Sequence, residues 1–282
     1  MQHSGTNIDP CLRTARTFNA ASEHYDAEPL GFWAHCGQRT IDRLALARGA
    51  RVLDVPCGTG ASALPAARAV GPAGHVLACD LAERMLARAR GKAAAQGLRQ
   101  MDFRVADMRA LGLPDASFDA VVCVFGIFFV PDMVAQARSL WRLVKPGGQL
   151  ALTTWAPGLF SPAWDRTVLA LAAERPDLAP KDRPWERLGT PESLTALLRQ
   201  AELAEDELRP VEVELRQHPL ASPADWWTVA LGGPLRTALD ELDAPAASRV
   251  RDDSIAYLAA QGITSFRADA LYVTARKRAS DM

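Results

Sequence analysis

The amino-acid sequence predicts an α/β fold, a largely parallel sheet covered by helices on both faces and roofed by further helical segments. Two observations carry this. Between residues 51 and 155, short apolar, β-branched runs alternate with longer stretches of helical spacing, the pattern of successive β-α units. The strand-like runs are continuously apolar, as expected when both faces of a sheet are buried.

The strands fall at 51–55, 75–79, 102–105, 118–124 and 149–155, with helices at 62–70, 82–96 and 133–143. Upstream, 10–47 reads as helical, with Phe18, Tyr25, Phe32, Trp33 and Ile41 supplying apolar faces. Downstream, Pro157, Pro162, Pro176, Pro180, Pro184 and Pro191 punctuate a loop-rich stretch holding one helix at 162–174. A helix at 191–201 starts with Thr190 as N-cap and Pro191 in the first helical position. The run 210–217 alternates strictly, which predicts one strand with a solvated face. In the helical patch at 223–231, the adjacent Trp226 and Trp227 cannot both face inward. A helix at 246–260 and a final strand within 265–278 close the chain. The expected organisation is an N-terminal helical cap, 1–47, and one domain, 48–282, with cap insertions at about 157–189 and 221–262.

Composition narrows the function classes. With 32 basic and 33 acidic side chains the formal net charge is −1, without the basic excess usual in a nucleic-acid binder. The five cysteines (Cys11, Cys36, Cys57, Cys79, Cys123) are scattered, with no Cys-x-x-Cys pair or His spacing of a metal site. Reduced thiols in a cytoplasmic protein are the expectation. Residues 1–10 are polar and lack a signal-like apolar run. No stretch approaches the roughly 18 consecutive apolar residues of a membrane span.

The richest segment is Val52-Leu-Asp54-Val-Pro56-Cys57-Gly58-Thr-Gly60, which ends the first strand and enters a helix. Glycines at such a junction let a ligand approach the backbone, and the helix N-terminus offers free N–H groups. Asp80, 20 residues after Gly60, ends the second strand, where a carboxylate can accept from both ribose hydroxyls. That pair alone also suits a nicotinamide dinucleotide. Three details favour another ligand. Asp54 beside the turn would repel a pyrophosphate but suits an ammonium group. Ala61, Ser62 and Ala63 follow Gly60, so the Gly-x-Gly-x-x-Gly spacing is missing. Asp107, ending the third strand, can accept from an exocyclic amine. An ammonium, a ribose diol and an adenine together describe S-adenosylmethionine.

On these residues the segment 51–155 resembles the core of the class I S-adenosylmethionine-dependent methyltransferases, in the branch holding the ubiquinone and menaquinone C-methyltransferases and many natural-product enzymes. The likeness covers the glycine turn, Asp80-Leu-Ala-Glu-Arg-Met85, Ala106-Asp-Met108, Leu113-Pro-Asp-Ala-Ser-Phe-Asp119 and Leu143-Val-Lys-Pro-Gly-Gly148. Pro56 departs from it, standing where the family usually has glycine and removing an N–H.

The resemblance implies a Rossmann-like seven-stranded sheet and a site for S-adenosylmethionine, released as S-adenosylhomocysteine. Cys57, Gly58 and Gly60 would flank its methionine part, Asp80 the ribose, and Leu81 and Met85 the adenine. Asp107 and the Met108 N–H would hold the adenine ring, with Val124 and Phe125 near the reacting end. Tyr25 would reach the methionine carboxylate, although simple helix packing explains it equally well.

Methyl transfer is an in-line displacement in which the protein chiefly aligns the partners. Phe128 and Phe129, within Phe125-Gly-Ile-Phe-Phe-Val-Pro131, are candidate walls for a small-molecule acceptor, and so is the aromatic stock of the caps. The Asn/Asp-Pro-Pro-Tyr/Phe segment of adenine and glutamine-amide methyltransferases is missing here. That leaves O-, N- or C-methylation of a small acceptor, such as an aromatic or quinone-like secondary metabolite. His24, His35 and His218 are the candidates for a general base. The alternatives are a non-methylating enzyme or binding protein on the same fold, an NAD-dependent oxidoreductase and a non-enzymatic interaction module.

Overall fold

The computed structural model describes residues 9–279. The polar reading of residues 1–8 lies outside them. Helix α1 (Pro10–Ala21) and helix α2 (Phe32–Asp42) precede the sheet core. That core runs β1 (Arg51–Asp54), α3 (Ala63–Val70), β2 (His75–Asp80), α4 (Glu83–Ala95), β3 (Met101–Val105), β4 (Phe118–Val124), α5 (Met133–Leu143), β5 (Val144–Trp155). Then come α6 (Ala163–Glu174), α7 (Pro191–Gln200), β6 (Glu212–Glu214), β7 (Gln217–Pro219), α8 (Asp225–Leu231) and α9 (Arg236–Asp240). The chain ends with α10 (Ala244–Ala260), β8 (Ser265–Arg267) and β9 (Ala270–Arg276).

Seven strands form one sheet in the order β3-β2-β1-β4-β5-β9-β6. The first five are parallel, while β9 runs antiparallel to β5 and to β6. Alternate residues feed opposite faces. Val52, Val76 and Val122 pack on the side of α3, whereas Leu53, Val121 and Cys123 pack toward α5 and α7. A third apolar cluster, rich in aromatics, lies against residues from the segment after α1 and from α2, α6, α8 and α10. Strand order reverses between β1 and β4, which opens a crevice at their carboxyl ends.

Several boundaries depart from the sequence reading. The helical stretch 10–47 is two helices, separated by turns and a short 3-10 segment, Glu28–Leu30, that holds Pro29. β5 begins at Val144 rather than 149, with a register shift where the strand passes Lys145-Pro-Gly-Gly148. The alternating run 210–217 is not one strand: β6 joins β9 in the main sheet, while β7 pairs with β8. At the switch, Asp269 Oδ1 accepts from the Arg216 N–H at 2.6 Å, and Leu215 is left exposed. Alternation specifies faces but not partners. Elsewhere the local chemistry acts as read: Thr190 caps α7 in a reciprocal box with Ser193. Trp226 is fully buried, its Nε1 donating to Thr167 Oγ1 at 2.7 Å, while Trp227 is only half-buried.

Candidate active site at the carboxyl ends of the parallel strands

The strand order carries β1, β2, β3, β4 and β5 to one edge, and the residues at or just past their tips wall a single cleft: Val55, Asp80, Asp107, Val124 with Phe125, and Trp155. The cleft is open to solvent on one side.

Gly58 and Gly60 adopt φ of +52° and +90°, a left-handed region that glycine enters without penalty. This curl brings the Gly58 N–H to Asp80 Oδ2 at 2.8 Å, and Asp80 Oδ1 accepts from the Ala82 N–H at 2.8 Å. Each carboxylate oxygen therefore keeps a lone pair for a ligand hydroxyl. Burial pushes the Asp80 carboxyl up, against the pull of the Ala82 and Gly58 amides. Pro56 packs on Gly126, where a Cβ would sit 2.1 Å from the proline Cδ.

Of the sequence-predicted residues, Tyr25, Cys57, Gly58, Asp80, Leu81, Met85, Asp107, Met108, Val124 and Phe125 all line the cleft, with Phe128 and Phe129. Asp54 and Gly60 are not on its surface. Asp54 is buried behind the turn, where its Oδ2 accepts from Ser62 Oγ at 2.7 Å and its Oδ1 has no partner. Burial, reinforced by the nearby Asp80 charge, pushes its carboxyl to about 7 despite the serine bond. Gly60 faces Leu64, whose Cγ would lie 3.1 Å from a Cβ at this position. Asp107 is held by Arg109, which also pairs with Asp9, so its carboxyl titrates below its ordinary value.

The segment after α1 covers the glycine turn. The Tyr25 hydroxyl lies 4.0 Å from the position of a Cβ on Gly58, and the Tyr25 ring stacks on Trp33 at 5.0 Å. Desolvation, with the Asp80 charge, pushes the Tyr25 phenol well up. Asp26 fastens this segment to the core, accepting from Thr59 Oγ1 at 2.6 Å and pairing with Lys92 at 2.7 Å.

The histidine candidates are not brought together. None of His24, His35 and His218 lines the cleft. His24 Nδ1 lies 3.2 Å from Arg236, and His35 Nε2 lies 2.5 Å from Glu214 Oε1. His218 is buried against Phe32 and Phe266, and desolvation lowers its pKa.

Sequence reasoning missed much of the far wall: Cys11, Leu159, Trp185 and Pro234. Trp185 lies in the proline-punctuated stretch, where no periodicity assigns it a face. Phe125 and Phe160 both line the cleft with left-handed backbone, at φ of +53° and +65°. Phe125 stacks on Trp155 with ring centroids 3.6 Å apart. Non-glycine residues in this region store strain, a recurrent feature of functional sites.

Among the described residues, no lysine, arginine or histidine lines the cleft. A dinucleotide's pyrophosphate would find no cation there. Asp80, the backbone around Met108 and the glycine turn could hold a ribose, an amine-bearing ring and an amino-acid tail.

Residues 52–148 match a family described as a methyltransferase domain. A nocamycin O-methyltransferase from Saccharothrix syringae is 31% identical over 275 residues, 93% of this chain and 97% of that protein. Aklanonic acid methyltransferase from Streptomyces sp. (strain C5) is 34% identical over 142 residues, 50% of this chain and 64% of that one. A demethylmenaquinone methyltransferase from Geobacillus kaustophilus is 37% identical over 153 residues, 52% of this chain and 65% of that one. The match thus spans under two thirds of the latter two. Among solved structures, a putative methyltransferase from Bacillus halodurans aligns with a TM-score of 0.56 at 21% identity, over 86% of this chain and 98% of that one. A cyclase, SpnF, aligns at 0.53 and 22%, over 88% of this chain and 81% of that one. These structural likenesses speak to fold alone.

Proposed function

The chain belongs to the class I S-adenosylmethionine-dependent methyltransferases, and from that premise we propose that it methylates a small apolar acceptor held above the tips of β4 and β5. The observation that carries this reading is the cleft itself: Asp80 at a ribose position, and no cationic side chain among its described lining residues.

S-adenosylmethionine, when bound, supplies an electrophilic methyl on a sulfonium. In this reading Asp80 holds the ribose diol, and Asp107 with the Met108 N–H meets the adenine over Leu81 and Met85. Cys57 and Gly58 present the turn to the methionine part, with Gly60 and Asp54 shaping that turn from behind. The Tyr25 hydroxyl closes over it. Val124 and Phe125 flank the reacting end, and Trp33 and Trp155 keep water from it. Phe128 and Phe129 belong to the acceptor wall. The segments 1–47, 157–189 and 221–262 act as caps on one domain, 48–282. The five buried free thiols suit a cytoplasmic setting. None of the described helices is long and apolar enough to cross a membrane.

Calorimetry tests the reading. S-adenosylhomocysteine is expected to bind and NAD is not. Asp80→Ala should weaken binding at least about a hundredfold, because hydrogen bonds to a charged group contribute about 1.5–3 kcal/mol each. Unchanged affinity in the variant would refute the assignment.

A further inference from the structure

We infer that Arg109 is a positioning residue that latches α1 across the cleft, and that this latch sets the rate at which S-adenosylmethionine and its product exchange. The inference rests on the methyl-transfer reading above and deepens it.

Helix α1 turns one face to the cleft: Cys11, Thr14, Ala15 and Phe18, at i, i+3, i+4 and i+7, all line it. Its contacts join the three parts of the site. Toward the acceptor wall, the Cys11 thiol donates to the Phe129 carbonyl at 3.7 Å, and the Phe18 ring meets Phe129 edge-on with centroids 5.7 Å apart. Toward the glycine turn, Phe18 meets Tyr25 edge-on at 6.1 Å. Toward the adenine end, Asp9 serves the helix twice. Its Oδ1 caps α1, accepting from the Cys11 N–H at 2.8 Å, and its Oδ2 accepts from Arg109 Nη2 at 2.9 Å. The same guanidinium grips Asp107, with Nε 3.0 Å from both oxygens and Nη2 2.6 Å from Oδ2. One arginine therefore joins the carboxylate assigned to the adenine amine to the first turn of α1.

The two ends of α1 are held differently. Its C-terminal half is tied to neighbouring helices: Asn19 Oδ1 accepts from the Arg84 N–H at 2.9 Å, and the Thr17 hydroxyl shares a hydrogen bond with Thr237 of α9. At the N-terminal end, Asp9–Arg109 is the one ion pair that residues 9–21 make among the described residues. The side chains of Asp9, Arg109 and Asp107 are 36%, 33% and 24% exposed, so this link can part without stranding a charge in a dry interior. Partly exposed pairs contribute little to stability. A link of that strength slows the lifting of a helix end without preventing it.

S-adenosylhomocysteine has to leave before each new turnover, and openings of this kind set many turnover rates. In this inference the cofactor enters and leaves beneath α1, which pivots on its C-terminal half. The latch stabilises the seated helix in the empty and the occupied protein alike. Breaking it lowers the barrier to opening from both states, so association and release quicken together while equilibrium affinity stays in place.

The test uses Asp9→Asn, because asparagine caps a helix as well as aspartate does but cannot form the ion pair. Stopped-flow tryptophan fluorescence should show S-adenosylhomocysteine associating and dissociating about fivefold faster in the variant, with its affinity within about twofold of the parent. Raising salt from about 0.05 to 0.5 M should quicken release from the parent and leave the variant flat, since screening acts only where the pair exists. Hydrogen exchange of the ligand-free proteins supplies a second readout, because a twelve-residue helix lifted from its support does not stay folded. Residues 11–18 should exchange about fivefold faster in Asp9→Asn, with β1 and β4 unchanged, and adding Asp9→Asn to Arg109→Gln should quicken them no further. Unchanged release, faster release without faster association, or additive effects of the two substitutions would each overturn the inference. If α1 exchange responds as described but S-adenosylhomocysteine does not bind at all, the methyl-transfer reading falls while the tie between Arg109 and α1 stands.

Discussion

Asp54 shows how one residue can be tuned against its own fold. Its carboxylate is fully buried with one oxygen unpartnered, and desolvation raises its pKa to about 7 from the ordinary 3.8. A raised folded-state value means that the native protein holds this proton more tightly than the unfolded chain. The resulting stability is complete below about pH 4, falls as pH rises toward 7, and is gone above it. Asp54→Asn, neutral at every pH, should therefore melt higher than the parent at pH 8, by the equivalent of about 4 kcal/mol, and near the parent at pH 4. Thermal unfolding of the ligand-free proteins across that range measures it. A gain independent of pH would show that the charge is not the cause.

Between elements, the contacts that matter are close backbone approaches. At Gly37 of α2, a Cβ would lie 2.4 Å from the carbonyl carbon and oxygen of Ala61, so the helix sits directly on the loop entering α3. Neither atom can swing aside, and Gly37→Ala should lower stability by about 1–3 kcal/mol in a urea titration. The Gly126–Pro56 approach offers a sharper test, because the obstacle is a side chain. Gly126→Ala should disturb both stability and S-adenosylhomocysteine affinity, and adding Pro56→Gly should restore much of the affinity. Additive losses in that double-mutant cycle would mean the two sites are independent. Pro56, read from sequence as a departure that removes a donor, gains a structural role here: it packs the glycine turn against the loop after β4.

For the molecule as a whole, the sheet and its roof differ in how they are held. The central strands are buried on both faces, while the segment after α1 is fastened by partly exposed pairs: Asp26 with Lys92 and Arg88, and Glu23 with Arg84. Such pairs contribute little each, about 0–1 kcal/mol, so this segment should open locally without unfolding the sheet. Hydrogen exchange should show S-adenosylhomocysteine slowing residues 20–31 strongly and β1 and β4 hardly at all. Uniform slowing would mean that roof and sheet open together.

The parallel core and the ligand-bearing tips were legible in sequence because both depend on short-range order. Continuous apolar runs separated by helical periods fix β-α units, and a glycine turn followed by Asp80 and Asp107 marks where successive strands end. Neighbouring signals of that kind survive in one dimension. The sequence could not tell that the run 210–217 divides between two sheets, since alternation gives faces and not pairing partners. Nor could it tell that Trp185 lines the cleft, that Asp54 turns to Ser62 behind the glycine turn, or that three candidate histidines stay out of the site. Each of those outcomes was decided by packing between segments far apart in the chain, where a side chain's surroundings are set by which elements meet and not by its neighbours in sequence.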